Sequence, residues 1–284
     1  MNPSKFLAST IKNVIGQQIR FSAGMAATLP RTSGVYSTVG MNNESPSLVI
    51  FDKDGTLLCF HTMWIPWAQY ASQSIENATG MKLYQDVAKV LGLCTIENKV
   101  KPGLLAEGTM GQITTEIADI LIRKGIPSFE ARMMASDSLK YSNEMTITSQ
   151  LVKEIYDTVA LFTRLKQHGT KIAVCTADNR KSSMEALKRM NVLHLVDMVV
   201  CGDDKNSRPK PDAHNALRIC DHLNVHPSEA IMVGDTRVDI EMAHAARLGS
   251  AVGVLSGVGC KDHLHRADVL LNNIGDIIEV FYEK

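Results

Sequence analysis

The sequence predicts a protein of the α/β class, in which a doubly wound parallel sheet carries an inserted helical region. Three short, continuous apolar runs at 47–51, 171–175 and 230–233 have the pattern of strands buried on both faces. Helical patterns separate these runs, and such alternation indicates a parallel sheet covered by helices on both sides. A succession of helical patterns without a convincing strand occupies 60–150 and indicates the insertion.

Length and composition narrow the class of protein further. The 284 residues, 45% of them hydrophobic, can form one large domain or two modest ones. Thirty basic side chains balance thirty acidic ones, so no overall charge favours nucleic acid as a partner. No stretch approaches the roughly 18 consecutive apolar residues of a membrane span. The six cysteines form no CxxC pair and have no zinc-site spacing.

Residues 1–43 differ from the rest of the chain. They hold four basic residues and no acidic one, are rich in hydroxyl side chains, and place early apolar residues on one helical face. This composition is typical of a mitochondrial transit peptide. A disordered tail is one alternative. Synthesis that begins at Met25 or Met41 is another, and a start at Met41 leaves a cytoplasmic protein.

The strands and helices of the sheet domain are predicted over 47–60 and 151–284. Weaker strands are expected at 196–201, 250–255 and 268–271, with helices at 150–168, 180–191, 211–223 and 237–248. Each strong strand ends in a polar, turn-forming cluster. In parallel sheets ligands bind beyond the carboxyl ends of the strands, where the strand order reverses. We therefore expect the three clusters to form one site.

The insertion is predicted over 61–150. Helices are expected at 62–77, 82–92, 111–124 and 128–142, separated by turns that contain glycine or proline. We interpret this segment as a second, smaller helical domain placed directly after the first polar cluster.

The first cluster contains two carboxylates that suit acid–base and nucleophilic chemistry. Asp52 and Asp54 lie two residues apart just after a strand, and Gly55 permits the sharp turn that sends them in different directions. One is suited to act as a nucleophile and the other as an acid or base. Asp235, after another strand, is placed to join Asp52 around a hard cation such as Mg²⁺.

The remaining polar residues suit a phosphoryl group. The hydroxyl of Thr176 and the backbone amide of Ala177 are expected to hold phosphate oxygens, and Lys210 offers a positive charge. A shifted register would put Arg208 in the place of Lys210. Asp178 is interpreted as a helix cap or turn former, which is the usual role of a lone aspartate at a strand end.

Four motifs in order resemble those of the haloacid dehalogenase superfamily. They are the Asp52–Leu57 segment, Thr176, Lys210 and the segment from Gly234 to Asp239. The sequence is most similar in character to phosphoglycolate-phosphatase-like members, whose helical cap lies between the first and second motifs. The resemblance implies a Rossmann-like doubly wound parallel sheet with an inserted α-helical cap domain.

The resemblance also implies a role for each site residue. Asp52 attacks phosphorus and becomes an aspartyl phosphate, while Asp54 protonates the leaving oxygen and then activates water. Asp52, Asp235 and the backbone carbonyl of Asp54 hold Mg²⁺. Asp239 supports the metal site or orients Lys210.

The sequence thus predicts a Mg²⁺-dependent phosphatase that acts on a small-molecule phosphate ester, with phosphoglycolate as the substrate by analogy. Alternatives are a phosphosugar mutase of the same fold and a catalytically idle binding or regulatory protein. No nucleic-acid or membrane partner is expected, and both a monomer and a homodimer are open.

Overall fold

A computed structural model describes residues 45–148 and 152–283. The predicted transit peptide or tail at 1–43 lies outside the described residues, and its role stays a prediction. Within the described part of the chain, no helix has the length and apolarity needed to cross a bilayer.

The centre of the fold is a six-stranded sheet in which all neighbouring strands are parallel. The strand order is β5-β4-β1-β6-β7-β8. Their bounds are β1 Leu48–Phe51, β4 Lys171–Cys175, β5 Met198–Val200, β6 Ala230–Gly234, β7 Ser250–Val254 and β8 Val269–Leu271. The predicted α/β class with its parallel sheet is therefore confirmed.

The position of β1 explains its continuous apolar sequence. All four of its side chains are fully buried. Val49 and Phe51 pack on one face of the sheet, where the ring of Phe162 lies 5.1 Å from that of Phe51. Leu48 and Ile50 pack on the opposite face. A strand with a helical layer on each side presents no face to water, so the alternation of apolar and polar residues disappears.

Within residues 152–283, five helices follow the insertion along the chain and cover the sheet: α6 Thr158–Gln167, α7 Arg180–Arg189, α8 His214–His222, α9 Arg237–Ala245 and α10 Ile277–Phe281. Two predicted helix starts were wrong. Within 152–157 the backbone is not helical, because it pairs with the segment after β1: the carbonyl of Lys153 accepts from the amide of Cys59, and the amide of Ile155 donates to the carbonyl of Leu57. The helix predicted from 211 begins at His214, whose amide donates to the side chain of Asp212.

As far as the structure describes it, up to residue 148, the inserted segment contains five helices: α1 Phe60–Thr79, α2 Tyr84–Leu91, α3 Leu104–Glu107, α4 Met110–Arg123 and α5 Ser128–Thr148. The expectation that it lacks strands was wrong, because β2 Leu93–Cys94 pairs antiparallel with β3 Lys99–Val100. Strands of two residues are too short to produce a detectable alternation in the sequence.

Candidate active site

The polar clusters after β1, β4 and β6 meet at one edge of the sheet. Phe51, the last residue of β1, pairs with Val174 of β4 on one side and with Val233 of β6 on the other. The residues that follow these strands therefore leave the sheet side by side. This brings Asp52, Thr176 and Asp235 together, although 183 positions separate the first and last of them in the sequence.

Three buried carboxylates form the floor of the site. Asp52, Asp235 and Asp239 each offer an oxygen, and these oxygens lie within 4.8 Å of one another. Burial raises the pKa of Asp52 to about 7, although the charge of Lys210 opposes the rise. Burial and the neighbouring carboxylates also raise the pKa of Asp235 well above its ordinary value. Both shifts come first from burial, which disfavours the ionised form of a carboxyl group.

Lys210 supplies positive charge to this cluster. Its Nζ lies 2.6 Å from Oδ1 of Asp52 and 2.6 Å from Oδ1 of Asp239. Arg208 is exposed and lies 3.5 Å from Asp212 instead. The structure thus places Lys210, and not Arg208, against the predicted nucleophile.

The carboxylate cluster has the chemistry of a magnesium site. The three carboxylates and the ammonium group of Lys210 carry a net charge of −2 when all four groups are ionised. Mg²⁺ prefers oxygen ligands and commonly uses one or two carboxylates. The two oxygens of Asp239 already accept hydrogen bonds from Lys210 and from Thr236, which suits a residue that orients Lys210. The oxygens of Asp235 also accept hydrogen bonds, from Thr56 at 3.3 Å and from the amide of Val258 at 2.8 Å, and Asp52 and Asp235 stay the predicted metal ligands.

The side chain of Asp54 belongs to a second charged group. Lys53 is fully buried, and its Nζ lies 2.6 Å from Asp54 and 3.1 Å from Asp178. Burial raises the pKa of Asp54, Lys53 opposes this rise, and Asp178 adds to it. A single ammonium group faces two buried carboxyl groups, so a proton on Asp54 relieves the excess negative charge.

The interpretation of Asp178 as a turn former was therefore incomplete. Asp178 does accept a hydrogen bond from the amide of Asn179 at 2.7 Å, as a turn former does. It is also buried beside Lys53, a contact across 125 positions of sequence. Lys53 and Asp178 are the site residues that sequence reasoning missed. The only signal for Lys53 was a charged residue between two catalytic candidates.

A small cavity opens above these groups. Asp52, Asp54 and Asp178 line it together with Thr176 and Ala177, the residues predicted to hold phosphate. The hydroxyl of Thr176 accepts a hydrogen bond from the amide of Asp178 at 3.1 Å, which fixes the loop after β4.

The inserted segment supplies the opposite wall of the cavity. Trp64 lies there on α1, and Leu105 and Met110 come from α3 and α4. Aromatic residues at the start of a helical insertion are usually part of its core. This holds for Trp67, which is buried and donates to Asn143, whereas Trp64 reaches the cavity.

Two glycines let the backbone close around Asp235. Gly55 has a φ of +92°, which disfavours other residues, and a Cβ there would lie 2.3 Å from Oδ2 of Asp235. A Cβ at Gly257 would lie 1.9 Å from the same oxygen. The predicted turn at Gly55 therefore also leaves space for the Asp235 carboxylate.

Comparison with known proteins gives one family match. The sequence model of the haloacid dehalogenase-like hydrolases matches residues 46–247, which is more than half of the chain. A phosphorylated carbohydrates phosphatase of Thermotoga maritima is 26% identical over 140 residues. That match covers 47% of this chain and 64% of the relative, so less than two thirds of the relative's length.

Other relatives match over more of their length. A phosphoglycolate phosphatase of Neisseria meningitidis is 26% identical over 244 residues, which covers 83% of this chain and 94% of that protein. A crystal structure described as a predicted phosphoglycolate phosphatase from Haemophilus somnus superposes with a TM-score of 0.63 at 18% identity. It covers 85% of this chain and 99% of that one, and it supports the assignment of the fold.

Proposed function

Because this chain belongs to the haloacid dehalogenase-like hydrolase family, we propose that it is a Mg²⁺-dependent phosphatase of small phosphate esters. The proposed reaction forms an aspartyl phosphate on Asp52. The observation that carries the proposal is that Asp52 and Asp54 line one cavity directly above a cluster of buried carboxylates.

In the first half of the reaction, a carboxylate oxygen of Asp52 attacks the phosphorus of the substrate. The bond from phosphorus to the ester oxygen breaks, and Asp54 gives its proton to that oxygen as it leaves. This step requires Asp54 to be protonated at the start. Burial raises the pKa of Asp54, which favours that state.

In the second half, Asp54 takes a proton from water, and the resulting hydroxide oxygen attacks the phosphorus of the aspartyl phosphate. The bond to Asp52 breaks, and inorganic phosphate leaves. Division of one displacement into two steps lets the same buried carboxyl group serve first as acid and then as base.

The groups around the cavity hold the transferred phosphoryl group. Thr176 and the amide of Ala177 are placed to bind its oxygens, while Lys210 fixes Asp52 and adds positive charge. Asp52, Asp235 and the backbone carbonyl of Asp54 are the groups that would hold Mg²⁺. When bound, the ion neutralises negative charge on the phosphoryl oxygens.

The relatives named as phosphoglycolate phosphatases suggest a phosphoglycolate-type substrate for this chain. That choice rests on analogy, since members of one fold act on many substrates. A mitochondrial location rests on residues 1–43 alone and stays a prediction, with the cytoplasm as the alternative.

Phosphate release by the purified protein tests the proposal. With Mg²⁺ present, we expect release from p-nitrophenyl phosphate and from some members of a panel of small phosphometabolites. Asp52→Asn should reduce turnover by at least about 10³-fold, because the nucleophile is lost. Asp212→Asn is the matched control, because that carboxylate is exposed and lies outside the cavity.

Three outcomes count against this function. The first is an absence of phosphate release across the panel, which would favour a binding or regulatory role. The second is an active Asp52→Asn variant. The third is interconversion of phosphosugar isomers without net release of phosphate, which would identify a mutase.

A further inference from the structure

The wall of the cavity that faces away from the phosphoryl-binding groups is apolar. Phe60, Leu105 and Met110 form much of it. Within residues 45–148 and 152–283, no cationic side chain lines the cavity. Lys53 and Lys210 lie close by, but each is already held between two carboxylates.

This lining is unfavourable for a negatively charged leaving group. A carboxylate that enters the cavity loses water and gains no unpaired cation, which is costly in an apolar setting. With Asp54 protonated, the charges of Lys53 and Asp178 beside the cavity already balance each other, so no net positive charge there attracts such a group. The charge distribution thus distinguishes phosphoglycolate, whose leaving group carries a carboxylate, from a phosphate ester of the same size whose leaving group is uncharged.

Trp64 adds one hydrogen-bond donor to this wall. The residue is buried and lines the cavity, and among the described residues its Nε1 has no hydrogen-bond partner. The carboxyl group of Asp54 lies within reach of this N–H, but no well-aligned hydrogen bond joins the two. A buried N–H without a partner is costly, and a ligand oxygen there would remove that cost.

We propose that the phosphorylated substrate has a small, uncharged leaving group whose oxygen accepts a hydrogen bond from Trp64 Nε1. Its carbon atoms pack against Leu105 and Met110. This inference rests on the proposed phosphatase function and deepens it, and it replaces the phosphoglycolate-type substrate that the names of the relatives suggest. Trp64 then acts as a specificity-determining residue. It selects phosphate esters whose leaving group carries a hydroxyl and no carboxylate.

A matched pair of substrates tests the charge requirement. 2-Hydroxyethyl phosphate and 2-phosphoglycolate have similar size, but the first ends in a hydroxyl and the second in a carboxylate. We expect kcat/KM for 2-hydroxyethyl phosphate to be at least about tenfold higher in the presence of Mg²⁺. Equal values, or a preference for 2-phosphoglycolate, would overturn the inference and leave the phosphatase function intact.

A matched pair of variants tests the role of Trp64. Trp64→Phe removes the N–H but keeps an aromatic ring, and it should lower kcat/KM for 2-hydroxyethyl phosphate about threefold to tenfold. Ethyl phosphate lacks the hydroxyl group of 2-hydroxyethyl phosphate, so its kcat/KM should change much less in Trp64→Phe. The ratio between the two substrates is insensitive to a loss of folded protein and therefore reports the hydrogen bond.

Trp67→Phe is the control, because Trp67 lies on the same helix and its N–H bonds to Asn143 at 2.7 Å. It should leave the ratio of the two substrates unchanged. If Trp64→Phe also leaves that ratio unchanged, Trp64 is not the donor and the inference is wrong. If no ester is hydrolysed by the wild-type protein, the proposed function fails and this inference fails with it.

Discussion

Lys210 connects two parts of the site that have different tasks. One of its contacts goes to Asp52, the proposed nucleophile, and the other goes to Asp239 at the start of α9. Asp239 is itself held by the amide and hydroxyl of Thr236. The position of the nucleophile therefore depends on a chain of short charged contacts within buried surroundings, where such contacts are strong.

Lys210→Ala should reduce kcat by at least about 10²-fold, since it removes both the positive charge and the group that orients Asp52. Arg208→Ala is the natural comparison and should retain nearly full activity, because the side chain of Arg208 is exposed and lies 3.5 Å from Asp212 rather than beside Asp52. Steady-state kinetics with a small phosphate ester measure both. Nearly full activity in Lys210→Ala would show that the contact is not needed for turnover.

Gly257 gives a second test at the scale of one residue. Gly257→Ala would place a methyl group 1.9 Å from Oδ2 of Asp235, so the carboxylate must move. We expect a higher Mg²⁺ concentration for half-maximal activity, by about tenfold. Gly111→Ala is the control, since only the hydroxyl of Thr109, at 3.8 Å, lies near the added Cβ. An unchanged Mg²⁺ requirement in Gly257→Ala would argue against Asp235 as a metal ligand.

At the scale of elements, α4 shows how a helix end positions the wall of the cavity. Thr109 precedes the helix, and its hydroxyl accepts from the amide of Gln112 at 3.2 Å. The side-chain oxygen of Gln112 accepts from the amide of Thr109 at 2.8 Å. This capping box fixes the first turn, from which Met110 reaches the cavity.

Thr109→Ala should lower the free energy of unfolding by about 1 kcal/mol, because the amide of Gln112 loses its acceptor. We also expect KM for a small ester to rise severalfold as the first turn loosens. Thr115→Ala on the same helix is the control, because its exposed hydroxyl bonds only to the carbonyl of Gly111. Urea unfolding measures stability, and equal losses in the two variants would contradict a special role for the cap.

For the whole molecule, the buried carboxylates couple folding to pH and to the metal ion. Burial raises the pKa of Asp52 from 3.8 to about 7, and Asp235 shifts in the same direction. Between pH 3.8 and about pH 7, the folded state therefore binds more protons than the unfolded state. By linkage, these groups stabilise the metal-free protein at low pH, and that stabilisation is lost as pH rises towards 7.

In EDTA, the Tm should fall between pH 5.5 and pH 7.5 by about 3 °C or more. Saturating Mg²⁺ should reduce this fall, since an ion that binds the folded state favours the ionised carboxylates. Asp52→Asn should make the fall in EDTA shallower, because one of the titrating groups is gone. A fall of the same size in Asp52→Asn and in the wild type would assign the effect to other groups.

The sequence by itself determined the parallel sheet, the helical insertion and the edge of the sheet where Asp52, Thr176 and Asp235 meet. These features depend on apolar runs and on turn residues next to them in the chain, so local patterns carry them. Residues that act over short distances in sequence, such as Gly55, were predictable for the same reason.

The tertiary structure alone decided which charged groups contact one another. It placed Lys210 rather than Arg208 beside Asp52, joined Lys53 to both Asp54 and Asp178, and put Trp64 in the cavity wall. The short hairpin and the start of α6 also escaped prediction. For the contacts and the start of α6, at least one partner is distant in sequence, so tertiary packing rather than local preference selects them. The strands of the hairpin are too short to show a periodic pattern of apolar residues.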